Sequence, residues 1–489
     1  MSDDAPMKKS FSSWRRWGFA VNLVVRTALV LAVVVMVNYL GARWFHRLNL
    51  NAATRQPLSP QTVGLLKSLT NHVKVTLFYD RDDPLYTTVA ALLNEYRDAN
   101  NRIHVATVDY LRDAGLAEKI KRDYKNLFNS STNKDMVIFD CDGHPPKRIV
   151  GRALAQIVTE QVPNPKEIEL RKHTLFHGER LFTAALLAVT SNKPLQAYYL
   201  TGHGEHQPDG GDEVGYRTFT SVLAQNFVQL TTLSLLGSNA VPTNCNLLLI
   251  AGPLSPLSDG ERERIDDYLH QGGRLFALIN FASLDRPTGM EKVLAGWGVD
   301  VGDQTIKDPQ NTTGHSDVIA FIEQPVHPIV APLASSALQF VLPRAVGPLD
   351  VGTPPLDAPR VVVIASSSGK ATAGKLGPKR FPLAVAIEKG NVKGVITERG
   401  STRIVAVGDS FFLDNQMIEA AGNRDFLGYT INWLLERTQL MQGLGPRPVA
   451  EFRLALTDAQ FHSVVWLLLA IIPGAVLAFG ALVWLRRRR

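Results

Sequence analysis

The 489-residue sequence is long enough for two or three domains, and its 45% hydrophobic and 20% charged content excludes a disordered or fibrous chain. Lys and Arg outnumber Asp and Glu by 52 to 45, giving a net charge of +7 and a pI near 9.3. The excess sits at the ends, with +3 over residues 1–26 and +4 on the final four arginines. The neutral remainder offers no cationic groove for a phosphate backbone, which excludes nucleic acid as a partner.

Residues 1–26 form a basic tail carrying Lys8, Lys9, Arg15, Arg16 and Arg26. The apolar stretch 27–45 (TALVLAVVVMVNYLGARWF) follows, and about 20 residues suffice to cross the hydrocarbon layer. A cleaved signal peptide fits less well, because the apolar core is longer than an h-region and no small-x-small cleavage site follows it. Residues 463–485 hold no charge, carry Trp466 and Trp484 as interfacial anchors, and precede a second basic tail at 486–489. The positive-inside rule places both termini in the cytoplasm, which sends residues 46–462 across the membrane. Cys141 and Cys245 are too few for a disulfide framework; a single bridge between them is left open.

Within 46–192, Ser59 is the predicted N-cap of a helix opening with Pro60. VKVTLFYD reads as strand, Leu85 to Ala99 as helix, IHVATVDY as strand and Gly115 to Tyr124 as helix. DMVIFD and KRIVG then read as strands and Thr174 to Thr190 as helix. This βαβαββα order predicts a thioredoxin-like α/β domain, but RDDPLYTT stands where a CxxC would be, so no thiol chemistry is expected.

Residues 193–306 and 401–440 predict a doubly wound α/β sheet. Runs such as LLLIAG have the continuous apolar character of strands covered on both faces. Ser258 and Glu261 form a predicted capping box for the helix to His270. RIVAVGDS and the helix from Asn423 to Glu436 close the sheet, residues 307–400 form a β-rich insertion with strands LQFVLP, RVVVIAS and PLAVAIE, and 441–462 link to the second span.

Three motifs bear on chemistry. Gly369 to Leu376 (GKATAGKL) approaches a P-loop, but Leu376 replaces the magnesium-binding hydroxyl and Gly377-Pro378 cannot start the helix, so a polar turn is expected and no nucleotide hydrolysis. The loop Gly202-His203-Gly204-Glu205-His206 follows a strand, where open sheets direct loops at ligands, and Gly408, Asp409 and Ser410 open onto the same edge. His203, Glu205 and His206 suit metal ligation or acid-base work as residue types, yet loop hydrogen bonding yields the same pattern. Neither Cys245, at the wrong end of a strand, nor Ser410, which lacks the GxSxG frame, meets the requirements of a nucleophile.

The segments VNYLGARWFHRLNLN, QPLSPQTVGLLKSL, YYLTGHGEHQP, LLLIAGPLSPLSDGERERIDDYLHQGGRLFALIN and RIVAVGDSFFLDNQMIEAAGNRDFLGYTINWLLER together resemble the GldG-like family. These are gliding-motility-associated auxiliary subunits of ABC transport systems. The resemblance covers most of the chain and implies a membrane-anchored accessory protein beside an ABC permease and a separate ABC ATPase. It also implies a flavodoxin-like or class I amidotransferase-like central sheet without that class's catalytic cysteine.

The expected protein is therefore a two-pass inner-membrane protein of a bacterium with a periplasm, with membrane lipid around its spans and residues 46–462 periplasmic. No catalytic residue, metal or cofactor is expected. Gly202, His203, Gly204, Glu205, Gly408 and Asp409 form the candidate binding edge, and the family name is not evidence of gliding motility. An exported hydrolase built on the 203–206 loop, possible with zinc, and an envelope scaffold without a transporter are the alternatives.

Overall fold

The computed structural model describes residues 13–43, 58–128, 134–163, 168–191, 194–237, 239–314, 316–323, 327–333, 336–350, 352, 357–390, 400–437, 440, 447–448 and 458–488. The predicted tail before residue 13, the connector at 44–57 and most of the 441–462 linker lie outside them. The chain divides into two compact units, Met1–Pro57 and Leu58–Arg489. The first contains α1 (Ser13–Arg43), whose apolar stretch runs from Val21 to Met36.

The second unit opens with α2 (Pro60–Ser68), where the Ser59 hydroxyl accepts the Thr62 N–H at 3.2 Å and Pro60 fills the first turn, as the sequence predicts. Next come β1 (Val73–Phe78), α3 (Tyr86–Ala99), β2 (Ile103–Val108), α4 (Ala114–Asp123), β3 (Met136–Cys141) and β4 (Lys147–Val150). They form a sheet of order β2-β1-β3-β4, with β2 parallel to β1, β3 antiparallel to β1 and β4 antiparallel to β3. Its core joins Val73, Val75 and Leu77 to Val89, Leu93, Phe139 and Phe182.

A short α5 (Gly151–Leu154) leads into a hairpin of β5 (Ala155–Pro163) and β6 (Ile168–Phe176), and α6 (Gly178–Thr190) follows. The sequence predicted helix from Thr174. Strand pairing carries the backbone to Phe176 instead, and the helix begins once the His177 N–H has bonded the Leu154 carbonyl at 2.8 Å.

The large sheet begins with β7 (Leu195–Leu200), α7 (Arg217–Gln225), β8 (Val228–Leu233), β9 (Leu247–Ala251), α8 (Asp259–His270), β10 (Arg274–Leu278) and α9 (Met290–Gly296). It continues through β11 (Val299–Lys307), β12 (Asp317–Ile322), β13 (Leu338–Val341), β14 (Arg344–Pro348), β15 (Arg360–Ser366), β16 (Thr372–Ala373), β17 (Pro382–Lys389), β18 (Thr402–Val407) and α10 (Asn423–Leu434). Nine strands lie in the order β13-β12-β15-β17-β18-β10-β9-β7-β8. The last five are mutually parallel, and β17, β15, β12 and β13 extend them in antiparallel fashion. Most strands of the predicted 307–400 insertion thus become part of the parent sheet, while β14, β11 and β16 make a separate three-stranded sheet.

Helices cover both faces of the parallel half. Leu247, Leu249, Phe276 and Val405 pack with Phe219 of α7 and Phe426 of α10, whereas Leu248, Ile250, Leu275 and Ile404 pack with Ile265 of α8 and Leu294 of α9. Alternate residues of one strand serve opposite layers, which is why LLLIA is apolar throughout. Cys141 is buried in the core of the first sheet and Cys245 in that of the large one, so no disulfide joins them.

Backbone pairing of β19 (Arg447–Pro448) with β6 leads toward α11 (Asp458–Trp466), a π-helical turn at Leu467–Ile471 and α12 (Ile472–Arg488). The wider turn lies just before Pro473, whose ring would press on the carbonyl four residues back in a regular helix. Residues His462–Arg486 make the one helix among the described residues that is long and apolar enough to cross a membrane; Val21–Met36 is shorter.

Candidate functional site

The parallel strands diverge at β7 and β9: β7 is followed outward by β8, and β9 is followed on the other side by β10 and β18. In open α/β sheets, ligand sites form beyond the carboxyl ends of the strands at such a reversal. Four loops meet there, those after β7, β9, β10 and β18.

Main-chain bonds draw the first two loops together. The His203 carbonyl accepts from the N–H groups of Leu254 and Ser255 at 2.7 and 2.9 Å, and the His206 N–H donates to Ala251 at 3.1 Å. Gly202 and Gly204 take φ of +116° and +82°, where a side chain would be strained. The loop therefore folds sharply enough to point its two histidines in different directions.

His203 points inward. Its imidazole lies between Glu205, with Nδ1 at 3.4 Å from Oε1, and Glu261, with Nε2 at 3.3 Å from Oε2; all three residues are buried. The Glu205 carboxylate also accepts the His203 N–H at 2.8 Å. Glu261 is the third residue of α8 and completes the predicted capping box with Ser258. Burial disfavours its charge, but the Ser258 hydroxyl and N–H, together with His203, hold the carboxyl below its ordinary range. This cluster ties the β7 loop to the start of α8.

His206 faces the other way and is half-buried. Its Nδ1 lies 2.7 Å from the Val214 carbonyl, which can only accept, so Nδ1 carries the proton. Nε2 is left as an acceptor, and the Ser410 hydroxyl lies 2.9 Å from it. The ring stacks on Tyr216 with centroids 4.5 Å apart and meets Phe411 edge-on at 4.9 Å. Burial lowers its pKa, against the opposing pull of Val214 and Asp212, and keeps the imidazole neutral at neutral pH. The Tyr216 hydroxyl donates to the Ser410 carbonyl.

Gly408 and Asp409 tie the end of β18 to β14 of the small sheet and to β13 at the edge of the large one. The Gly408 carbonyl accepts the Arg344 N–H at 2.7 Å, and a Cβ at Gly408 would stand 1.9 Å from the Arg344 oxygen. Asp409 is buried and accepts three N–H groups, from Val341 at 2.7 Å, Phe411 at 2.7 Å and Phe412 at 3.1 Å. Burial nonetheless pushes its carboxyl up to about 7.

The six predicted edge residues thus fall into two groups. His203, with Glu205 against it, meets α8 on a turn bent by Gly202 and Gly204, while Gly408 and Asp409 meet β13 and β14. Among the contacts that link the loops after β7 and β18 is His206 with Ser410, which the sequence placed on one edge without pairing them. The signal was weak because the partners are 204 residues apart. Gly369 to Leu376 forms β16 and a tight turn with an Ala373–Leu376 bridge, with no helix after it. Among the described residues, no group of three or more His, Cys, Asp or Glu side chains is arranged to hold a metal ion.

No curated protein matches the chain. Among solved structures, the mmIFT52 N-terminal domain is 15% identical with a TM-score of 0.39, covering 49% of this chain and 97% of its own. A ThuA-like protein from Parabacteroides merdae is 13% identical with a TM-score of 0.32, covering 50% and 90%. A glutamine amidotransferase from Thermotoga maritima is 9% identical with a TM-score of 0.27, covering 51% and 99%. Residues 54–141 match a domain of unknown function (DUF7088). Residues 196–432, which hold the parallel half, the antiparallel extension and all the residues of this edge, match the family described as ABC-type uncharacterized transport system, and the match supports that general family for the chain.

Proposed function

We propose that the chain is a membrane-anchored accessory subunit that works beside a separate ABC permease and ABC ATPase. The observation that carries this reading is the family match over residues 196–432, and the accessory role in an ABC transport system follows from it. The GldG-like resemblance, carried by the co-occurrence of its five segments, narrows the choice within that family. The near-miss P-loop agrees, because nucleotide chemistry then belongs to the partner.

The membrane arrangement is part of the proposal. Residues 463–485, inside the apolar helix His462–Arg486, serve as one span and the stretch 27–45 as the other, with both basic ends in the cytoplasm of a bacterium and residues 46–462 periplasmic. Within the exported part, 46–192 is read as a thioredoxin-like domain without CxxC, supported by its β2-β1-β3-β4 order, and 193–440 as the domain that engages a substrate or envelope partner. The edge formed by Gly202, His203, Gly204, Glu205, Gly408 and Asp409 is its proposed binding side.

Affinity purification of the full chain from its own membranes in mild detergent tests the role: a permease and an ATPase should co-purify, and a chain that always emerges alone contradicts it. A Ser255→Cys variant tests the topology, since Ser255 is exposed on the β9 loop whereas Cys141 and Cys245 are buried. An impermeant maleimide should label it in spheroplasts with an intact inner membrane; labelling only after lysis of that membrane would place the edge in the cytoplasm.

A further inference from the structure

Although Ser410 lacks the GxSxG frame and was not expected from the sequence to be a nucleophile, we propose that Ser410 and His206 form a hydroxyl–imidazole dyad able to attack an uncharged ester or thioester, a chemical capacity that the accessory role does not require. Three independent features converge on it. The first is orientation: Val214 fixes the proton on Nδ1, so Nε2 presents its lone pair to the Ser410 hydroxyl at 2.9 Å. A serine hydroxyl is a poor nucleophile at neutral pH and needs such a base to take its proton. The base must itself be neutral, and the half-buried aromatic setting of His206 favours that form.

The second feature is the bare wall beside the hydroxyl. Gly252, with φ of +68°, passes so close that a Cβ there would lie 2.6 Å from the Ser410 Oγ. The side-chain amide nitrogen of buried Asn280 lies 3.3 Å from the same Cβ position. Asn280 makes only a long 3.5 Å contact with the Gly252 carbonyl through that amide. A glycine wall flanked by a hydroxyl and an amide donor is an arrangement in which a side-chain amide can stabilise a developing oxyanion.

The third is the approach. Phe281 and Phe411, half-buried with ring centroids 5.0 Å apart, lie beside the dyad, and Leu254 is exposed on the β9 loop. These groups favour an apolar acyl group over a charged one. Ser410 is fully buried in the structure, so an acyl donor reaches it by displacing the half-buried rings.

The step balances within the dyad and substrate. The Ser410 oxygen bonds to the acyl carbon as its proton passes to Nε2 of His206. The carbonyl carbon–heteroatom bond then breaks, and the departing alkoxide or thiolate takes that proton. Water repeats the sequence on the acyl-serine, releasing the acid and restoring the hydroxyl.

The test uses the full chain in detergent and an alkyl fluorophosphonate, which phosphonylates an activated serine with loss of fluoride. Peptide mass spectrometry should find the label on Ser410. His206→Gln, which keeps an acceptor for the hydroxyl but cannot serve as the base, should lower the labelling rate by about a hundredfold or more. An unlabelled Ser410, or equal labelling in a folded His206→Gln protein, overturns the proposal. If that variant does not fold, Ser410→Cys decides: its thiol should ionise below the ordinary value of about 8.5 through His206, and a value at or above it rejects the dyad.

Discussion

The parallel and antiparallel halves of the large sheet put their polar residues to opposite uses. In the parallel half, β7, β9, β10 and β18 all end on one side, so His203, His206, Gly252, Asn280 and Ser410 converge from segments far apart in sequence. In the antiparallel half, successive strands end on alternate sides, and polar groups are consumed locally. Asp317 illustrates this: burial opposes its charge, but the Thr312 and Thr313 hydroxyls with the Thr313 and Gly314 N–H groups hold its carboxyl well below the usual range. In the loop that enters β12, Asp308 likewise accepts the N–H groups of Gln310 and Asn311 at 3.1 and 3.3 Å. Convergence of chemistry on one edge is therefore a property of strand direction rather than of composition.

The largest expected effect lies where the end of the parallel half meets β14 of the small sheet. Gly408→Ala would drive a methyl into the Arg344 carbonyl, an atom of the backbone that cannot swing aside. A loss of about 3 kcal/mol or more is expected in urea unfolding. Unchanged stability would mean that the end of β18 and β14 can part there, which would break the picture of the small sheet packed closely against the parallel half.

The next effect is a pH dependence in the turn that follows β18. Burial is the largest influence on both acids, raising Asp409 from 3.8 to about 7 and Asp414 from 3.8 to about 6. The folded state then holds protons that the unfolded chain releases above pH 3.8. The associated stability is full below that pH and is lost as pH rises through 6 and 7. Asp409→Asn should flatten the decline between pH 5 and 8 by up to a few kcal/mol. An Asp409→Asn protein that keeps the parent's pH profile between pH 5 and 8 would show that the N–H groups of Val341, Phe411 and Phe412 outweigh burial and keep Asp409 charged throughout that interval.

A smaller effect belongs to the parallel edge. Ser258→Ala removes the hydroxyl that caps α8 and holds Glu261 beside His203, and should cost about 1 kcal/mol. A neutral result would show that His203 and Glu205 position Glu261 without the cap, sharpening the division between loop and helix.

How far the sequence anticipated this arrangement depends on the range of the interactions involved. The Ser59 and Ser258 caps act over three residues, and both were legible from residue type and spacing. The strands of the parallel half were visible because burial on both faces demands apolar residues at every position. The β5–β6 hairpin escaped notice where an apolar helical run followed it directly. The fusion of β12, β13, β15 and β17 with the parent sheet depends on edge pairing, which leaves no periodic trace. Most instructive is the loop 203–206, where three polar residues of one type class were grouped together. The structure separates them because Glu261, some 58 residues on, draws His203 inward while Val214 and Ser410 hold His206 outward.

The central claim is that the carboxyl edge of the parallel half is the working side of an accessory subunit. A photo-crosslinking amino acid placed at Leu254, exposed on that edge, or at Phe321, exposed on β12 of the antiparallel half, tests it in intact membranes. The account predicts that Leu254 captures a transporter component or its cargo while Phe321 does not. Capture from Phe321 alone would contradict it.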